Sequence, residues 1–134
     1  MMRAKDFMQT RVTRVSPDDP LVSVHRLFCD EEISGAPVVA DTGEVLGVFR
    51  DGVAADPAEA RSTDGGSFDR LTSCTVSDVM SPEVISVGPD SPLTEVVEKI
   101  MENRIHRVLV LDSSEHGGSL VGIISVFDLV QLLA

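Results

Sequence analysis

An internal repeat is the feature that most constrains how this chain can fold. A shift of 72 positions places Asp6 on Asp78 and Pro20 on Pro92. The same shift matches further positions along both halves: Met8 with Met80, Val12 with Val84, Val15 with Val87, Pro17 with Pro89, Leu21 with Leu93, Val24 with Val96, Ile33 with Ile105 and Val38 with Val110. Self-similarity at a fixed period indicates one structural unit written twice. The predicted organisation is a first unit over residues 1–50, a linker over residues 51–74 and a second unit over residues 75–134.

Each copy predicts the same order of elements and an α/β fold of the α+β type. A short turn leads into a brief strand, and a capping residue followed by proline at the first helical position then begins a helix. Apolar residues at helical spacing are followed by two apolar runs that predict a hairpin. The predicted elements are strands over residues 12–15 and 84–87, caps at Asp19 and Ser91, helices Leu21–Glu31 and Leu93–Asn103, strands over residues 36–40, 45–49, 107–112 and 119–124, and a closing helix Val126–Leu133.

Charge and motif content narrow the class of function. The chain has 11 basic and 22 acidic residues and a net charge of -11, which argues against binding to nucleic acid or to an anionic membrane. It contains no GxSxG, HExxH or GxxxxGK[ST] motif, so we expect no catalysis. Cys29 and Cys74 form no CxxC motif and are expected to be reduced, without a metal site. No apolar run approaches 18 residues and no signal peptide is evident, so a cytoplasmic protein is expected.

The stretch Leu-Val-Gly-Ile-Ile-Ser-Val-Phe-Asp, which ends at Asp128, predicts a buried strand that runs directly into a helix. Ser125 and Asp128 stand three residues apart, as in a capping box, and on this interpretation they only stabilise the helix start. The alternative is that the hydroxyl, the carboxylate and free backbone amides of the same helix start bind a sugar and a phosphate. The spacing alone leaves both interpretations open.

Three motifs, two of them at corresponding positions of the repeat, resemble a known family. They are Ile33-Ser-Gly-Ala-Pro37-Val-Val39, the segment from Arg104 to Asp112, and Gly122-Ile-Ile-Ser-Val-Phe-Asp128. The repeated strand-helix-strand-strand-helix unit resembles the cystathionine β-synthase (CBS) domain, and the tandem resembles a CBS pair, or Bateman module. The resemblance implies two pseudo-symmetric units packed sheet to sheet. It also implies clefts between them that accept adenosine-containing ligands such as AMP, ADP, ATP or S-adenosylmethionine.

The resemblance also implies roles for individual residues. It makes Asp128 the ribose acceptor, Ser125 its helper and Ile123 part of the pocket lining; Thr13, Ile33 and Ser34 flank the base, His106 faces the phosphates, and Arg107 is assigned to the second cleft. The first copy departs from the motif, because it has Arg50 in place of the serine and Val53 in place of the aspartate. A valine side chain cannot accept a hydrogen bond, so one competent nucleotide site per chain is expected.

Together these points predict a non-catalytic, energy-sensing regulatory module that binds AMP, ADP or ATP and has no resident cofactor. Its output is expected to pass through an unknown regulated protein or through self-association. By resemblance, a homodimer is expected to form through helices Leu21–Glu31 and Leu93–Asn103. Two alternatives remain: a ligand-free dimerisation scaffold, in which Ser125 and Asp128 only cap a helix, and an S-adenosylmethionine sensor, whose binding would not respond to His106→Ala.

Overall fold

The computed structural model describes residues 2–50, 73–112 and 118–133. Both halves contain a short opening helix, a long helix and a pair of strands in the same order; within the described residues, the second half adds a short strand before its long helix and a closing helix. The elements are α1 Ala4–Phe7, α2 Leu21–Glu31, β1 Gly35–Val39, β2 Val45–Arg50, α3 Val76–Val79, β3 Ser86–Val87, α4 Leu93–Asn103, β4 Arg107–Asp112, β5 Ser119–Ser125 and α5 Val126–Leu133. This mixed content confirms the predicted α+β class. Apart from residues 73, 74 and 118, the predicted linker and the predicted turn between β4 and β5 lie outside the described residues.

The strands form two small sheets. One contains β1 and β2, and the other has the order β3-β4-β5, in which β3 is parallel to β4 and β4 is antiparallel to β5. The predicted opening strands are shorter than expected. In the first half only Val15 reaches the sheet, as a parallel bridge to Val38, and in the second half only Ser86–Val87 pairs with β4.

Both long helices begin one residue later than their predicted caps imply. Pro20 and Pro92, rather than Asp19 and Ser91, occupy the N-cap positions of α2 and α4, with φ near -66° and -68°. The predicted caps instead close the preceding turns: the Asp19 carboxylate accepts a hydrogen bond from the Ser16 amide at 2.9 Å, and the Ser91 hydroxyl accepts one from the Gly88 amide at 2.9 Å. The prediction was therefore wrong on the cap, although the predicted bounds of both helices are confirmed.

The chain divides into two compact units. The C-terminal unit contains Met1–Val12, Gly43–Val45 and Val84–Ala134, and the N-terminal unit contains Thr13–Thr42 and Leu46–Glu83. These bounds differ from those of the sequence repeats, because the opening helix of each repeat is buried in the core formed mainly by the other repeat. Ala4 of α1 is fully buried with Val96 and Ile124, and Val76 of α3 is fully buried with Val24. Each unit thus has its own apolar core.

Candidate functional site

The junction of β5 and α5 has the geometry of a capping box. The strand ends at Ser125 and the helix begins at Val126 without an intervening loop, as predicted. The Ser125 amide donates to Oδ2 of Asp128 at 2.9 Å, and the Asp128 amide donates to Oγ of Ser125 at 3.1 Å. This reciprocal pair holds the half-buried Asp128 carboxylate in place at the start of the helix.

The first amides of α5 are less available than predicted. The Val126 amide donates to the carbonyl oxygen of His106 at 2.8 Å, and the Asp128 amide is engaged by Ser125. The expectation of free backbone donors at this helix start was therefore wrong for Val126, whereas the capping-box interpretation already implied that Ser125 engages the Asp128 amide. The reason is topological: β4 starts beside the end of β5, so the carbonyl group of His106, the residue before β4, already faces the helix. The helix start consequently presents a carboxylate, and it is not primarily an anion-binding amide cluster.

Pairing of β4 with β5 brings three of the predicted site residues onto one face of the sheet. Arg107 lies opposite Ser125, and Leu109 lies opposite Ile123. Opposed residues of an antiparallel pair project to the same face, and successive residues project to opposite faces. Ile123, Ser125 and Arg107 therefore share the face opposite to Ile124, which lies in the apolar core. The resemblance assigns Arg107 to the second cleft, whereas this pairing places it across from the motif serine.

Gln9 contacts the candidate site, although the sequence alone did not predict it. Its backbone pairs with Ile123 through two hydrogen bonds of 2.9 Å, one in each direction. Its side-chain Nε2 donates to Oδ1 of Asp128 at 2.9 Å. One signal could have indicated it: the 72-residue shift places Ser81 on Gln9, just as Val53 takes the position of Asp128 in the first motif. That signal becomes informative only when the N-terminal segment is known to pack on β5.

The remaining predicted residues have different surroundings. His106 is exposed, and its carbonyl group contacts α5 as described above. Thr13, Ile33 and Ser34 belong to the N-terminal unit, where Thr13 is half-buried and Ser34 is exposed. Ile33 packs against the core of that unit, which explains its apolar character without a ligand. The structure thus brings Ile123, Ser125, Asp128 and Arg107 together within one unit and places the three expected base-flanking residues in the other.

Two kinds of site receive no support from the described residues. Among them, no three His, Cys, Asp or Glu side chains gather closely enough to bind a metal ion. In the same part of the chain, no helix has both the length and the apolar character needed to cross a bilayer.

Comparison with known proteins identifies the family. The CBS domain family model matches residues 4–52 and 76–134. The chain belongs to the CBS domain family. A similar relative is the CBS domain-containing protein YhcV of Bacillus subtilis, which is 30% identical over 129 residues that cover 96% of this chain and 84% of YhcV. The chain is also 27% identical over 120 residues to the pig 5'-AMP-activated protein kinase subunit gamma-3, covering 85% of this chain but only 22% of that subunit.

Solved structures of CBS proteins share the fold. The structure of CBSX2 in complex with AMP superposes with a TM-score of 0.76 at 22% identity and covers 99% of this chain and 96% of that one. The CBS domain pair of protein MJ0100, solved with 5'-methylthioadenosine and S-adenosyl-L-methionine, gives a TM-score of 0.72 at 17% identity and covers 99% and 96%. At these identities the similarity concerns the fold, and it confirms the predicted tandem CBS architecture.

Proposed function

We propose that this tandem CBS chain is a non-catalytic, cytoplasmic regulatory module that binds an adenosine-containing ligand at the start of α5. The observation that carries the proposal is the Asp128 carboxylate, which is held by hydrogen bonds at both oxygens and lies beside Ser125. A fixed, half-buried carboxylate is a suitable acceptor for the two hydroxyl groups of a ribose. In this proposal Ile123 lines the sugar site, and the capping box and the ligand site use the same residues.

The chemistry of similar proteins supports the ligand class. One solved CBS neighbour contains AMP, and another contains 5'-methylthioadenosine and S-adenosyl-L-methionine. These molecules share an adenine base and a ribose but differ in phosphate content and charge. A ribose acceptor such as Asp128 is the feature that can serve all of them. We therefore propose adenosine recognition through the sugar as the common element, with the other substituents deciding affinity.

A phosphate group requires local positive charge, because the whole chain carries a net charge of -11. His106 and Arg107 are exposed at the start of β4, beside the end of β5. We propose that these two side chains contact the phosphates of AMP, ADP or ATP. We also propose that Thr13, Ile33 and Ser34 contribute to the base site, as the family resemblance implies.

Signalling is proposed to follow from a change in the surface that a partner or a second copy contacts. A ligand can shift such an equilibrium only through its different affinities for the two states. Helices α4 and α5 both expose large apolar side chains: Met101 is 72% exposed and Phe127 is 70% exposed. These exposed side chains, together with Val22 on α2, support a homodimer as one output and a separate regulated protein as the other.

Titration calorimetry with AMP, ATP and S-adenosylmethionine tests the proposal. Asp128→Ala should lower affinity for every ligand by about tenfold or more, because the ribose loses a charged acceptor. The matched control is Asp78→Ala, since the Asp78 carboxylate makes the equivalent cap bond to the Thr75 amide at 2.9 Å in α3. That variant should lose cap stability but keep its affinity. Undiminished binding by Asp128→Ala would contradict the proposed site.

His106→Ala separates the ligand types. The substitution should lower the affinity for ATP more than the affinity for S-adenosylmethionine, since only ATP offers phosphate groups to the imidazole. Equal losses of affinity for ATP and for S-adenosylmethionine would contradict a nucleotide sensor.

The second candidate is a ligand-free interaction scaffold, which the exposed apolar residues of α4 and α5 favour. It predicts no heat of binding for any adenosine ligand, together with concentration-dependent self-association in sedimentation velocity. Phe127→Ser should then weaken association, and so should Val22→Ser, because Val22 is 53% exposed on α2, one of the two helices expected to form the dimer.

A further inference from the structure

Gln9 reaches the start of α5 from a position 119 residues earlier in the chain. Its backbone is held on β5 by two hydrogen bonds to Ile123. The close approach depends on Gly122: a Cβ atom there would lie 2.6 Å from Sδ of Met8 and 3.0 Å from the carbonyl oxygen of Gln9. The Gln9 amide group is therefore anchored by strand pairing and is not carried on an independent loop.

The hydrogen bonds at Asp128 leave capacity for a ligand. Gln9 donates to Oδ1 and the Ser125 amide donates to Oδ2, both at 2.9 Å. An ionised carboxylate has about four lone-pair sites, two on each oxygen. Each oxygen of Asp128 therefore keeps one acceptor site while its orientation is held by the protein. Two acceptor sites on two neighbouring oxygens match a vicinal diol, which offers two O–H donors.

The equivalent contact in the N-terminal unit shows that the fold does not need a glutamine here. Ser81 corresponds to Gln9, and its backbone pairs with Val48 through two hydrogen bonds of 2.9 Å. Gly47, like Gly122, lacks a side chain where this segment approaches. The backbone pairing thus forms with either side chain. What the glutamine adds is the hydrogen bond to Asp128, a residue whose counterpart in the first motif is a valine.

We propose that Gln9 is a positioning residue of the ligand site, which fixes the orientation of the Asp128 carboxylate so that both of its oxygens can accept the vicinal hydroxyls of a ribose. The proposal rests on the proposed function at Asp128. It extends the site to a segment outside the Gly122–Asp128 motif. Removing the Gln9 amide leaves Oδ1 without its protein donor, so the carboxylate must be ordered by the ligand itself, and this ordering costs affinity.

Gln9→Ala is the first test, with adenosine as the probe so that phosphate contacts do not contribute. Alanine keeps both backbone hydrogen bonds to Ile123. The affinity should fall about five- to tenfold, because the ligand must then order the carboxylate side chain that Gln9 no longer holds. Ser81→Ala is the matched control, because it truncates the equivalent side chain in the other unit, and it should leave the affinity unchanged.

Gln9→Glu provides a readout that a purely structural role would not change. It replaces the donor with a second carboxylate beside Asp128, and two neighbouring carboxylates raise one pKa of the pair. Binding of adenosine should be weak near about pH 8 and should recover severalfold toward about pH 5, when a shared proton restores a hydrogen bond. Gln131→Glu adds the same charge one turn along α5 and should show no such recovery. Arg11, His106 and Arg107 are present in all of these variants, so their charges contribute equally to the pH profiles that are compared.

The outcomes separate the two proposals. If the wild-type chain binds adenosine and Gln9→Ala binds equally well, the role of Gln9 is overturned while the ligand site stands. The role of Gln9 is also overturned if adenosine binding by Gln9→Glu depends on pH in the same way as binding by Gln131→Glu. If the wild-type chain binds neither adenosine nor its nucleotides, the proposed function fails, and the positioning role fails with it. Weaker binding by Gln9→Ala, together with acid recovery in Gln9→Glu, supports both.

Discussion

Alanine substitutions at Gly47 and Gly122 should have clearly different costs, although the two glycines occupy equivalent strands of the repeat. A Cβ atom at Gly47 would collide with the carbonyl oxygen of Ser81. That carbonyl oxygen accepts a hydrogen bond from the Val48 amide, and the Ser81 amide donates one to the Val48 carbonyl oxygen, both at 2.9 Å. Relief of the collision must therefore move backbone and disturb both hydrogen bonds. Overpacking of about 1–3 kcal/mol and two hydrogen bonds of about 1 kcal/mol each suggest a loss of about 3–5 kcal/mol.

Gly122→Ala meets softer neighbours. Its nearest contacts would be Sδ and Cγ of Met8, at 2.6 and 2.9 Å, and the carbonyl oxygen of Gln9 at 3.0 Å. A methionine side chain has several rotatable bonds and can move aside, so most of the overlap is relieved without moving backbone. We expect a loss of about 1 kcal/mol, near the lower end of the range for overpacked cores.

Urea unfolding followed by far-UV circular dichroism measures both effects, and the chain has no tryptophan or tyrosine to provide a fluorescence signal. Gly47→Ala should shift the unfolding midpoint well below that of Gly122→Ala. Ser81→Ala serves as the control for Gly47→Ala, because it keeps the backbone pairing and should leave the midpoint nearly unchanged. Equal losses for the two glycine variants, or a larger loss for Gly122→Ala, would refute the reasoning from backbone and side-chain neighbours.

Two further predictions concern stability. Phe28 is 1% exposed and packs on Phe49 with ring centroids 5.6 Å apart, so Phe28→Ala should cost about 3–5 kcal/mol of stability. Phe127 is 70% exposed, and Phe127→Ala should change the stability to urea little. Similar unfolding midpoints for the two variants would contradict this. Lys5 and Asp90 form an exposed ion pair at 3.1 Å. Asp90→Asn should therefore lower thermal stability by less than about 1 kcal/mol, and the difference should vanish in high salt. A larger loss that does not depend on salt would contradict a surface ion pair.

Local patterns predicted much of the fold. The bounds of α2, α4, β4 and α5 follow from hydrophobic periodicity and agree with the structure. The helix starts were harder to predict, because Asp19 and Ser91 fit both an N-cap position and a turn position. In the structure both side chains close the preceding turn. Such competition between a turn and a cap for one short polar side chain depends on the path of the incoming chain, which no local spacing specifies.

The candidate site was predictable only in its local part. The Ser125–Asp128 capping box is encoded by residues three apart, so its geometry could be read from the sequence. The bond from Gln9 to Asp128 joins residues 119 positions apart and depends on the opening segment packing with the later repeat. A repeat in the sequence does not reveal such an exchange of segments. Likewise, the engagement of the Val126 amide by the His106 carbonyl follows from strand pairing and not from the helix sequence.

The role of Asp128 as a ribose acceptor is tested most directly by a thermodynamic cycle between the protein and the sugar. The affinities of wild type and Asp128→Ala are measured for adenosine and for 2',3'-dideoxyadenosine, which lacks both hydroxyl groups. Removing the hydroxyls should cost the wild type about tenfold or more and should cost Asp128→Ala almost nothing, because the two partners contribute through one interaction. An equal loss in both proteins would show that the ribose hydroxyls bind elsewhere and would contradict the proposed site.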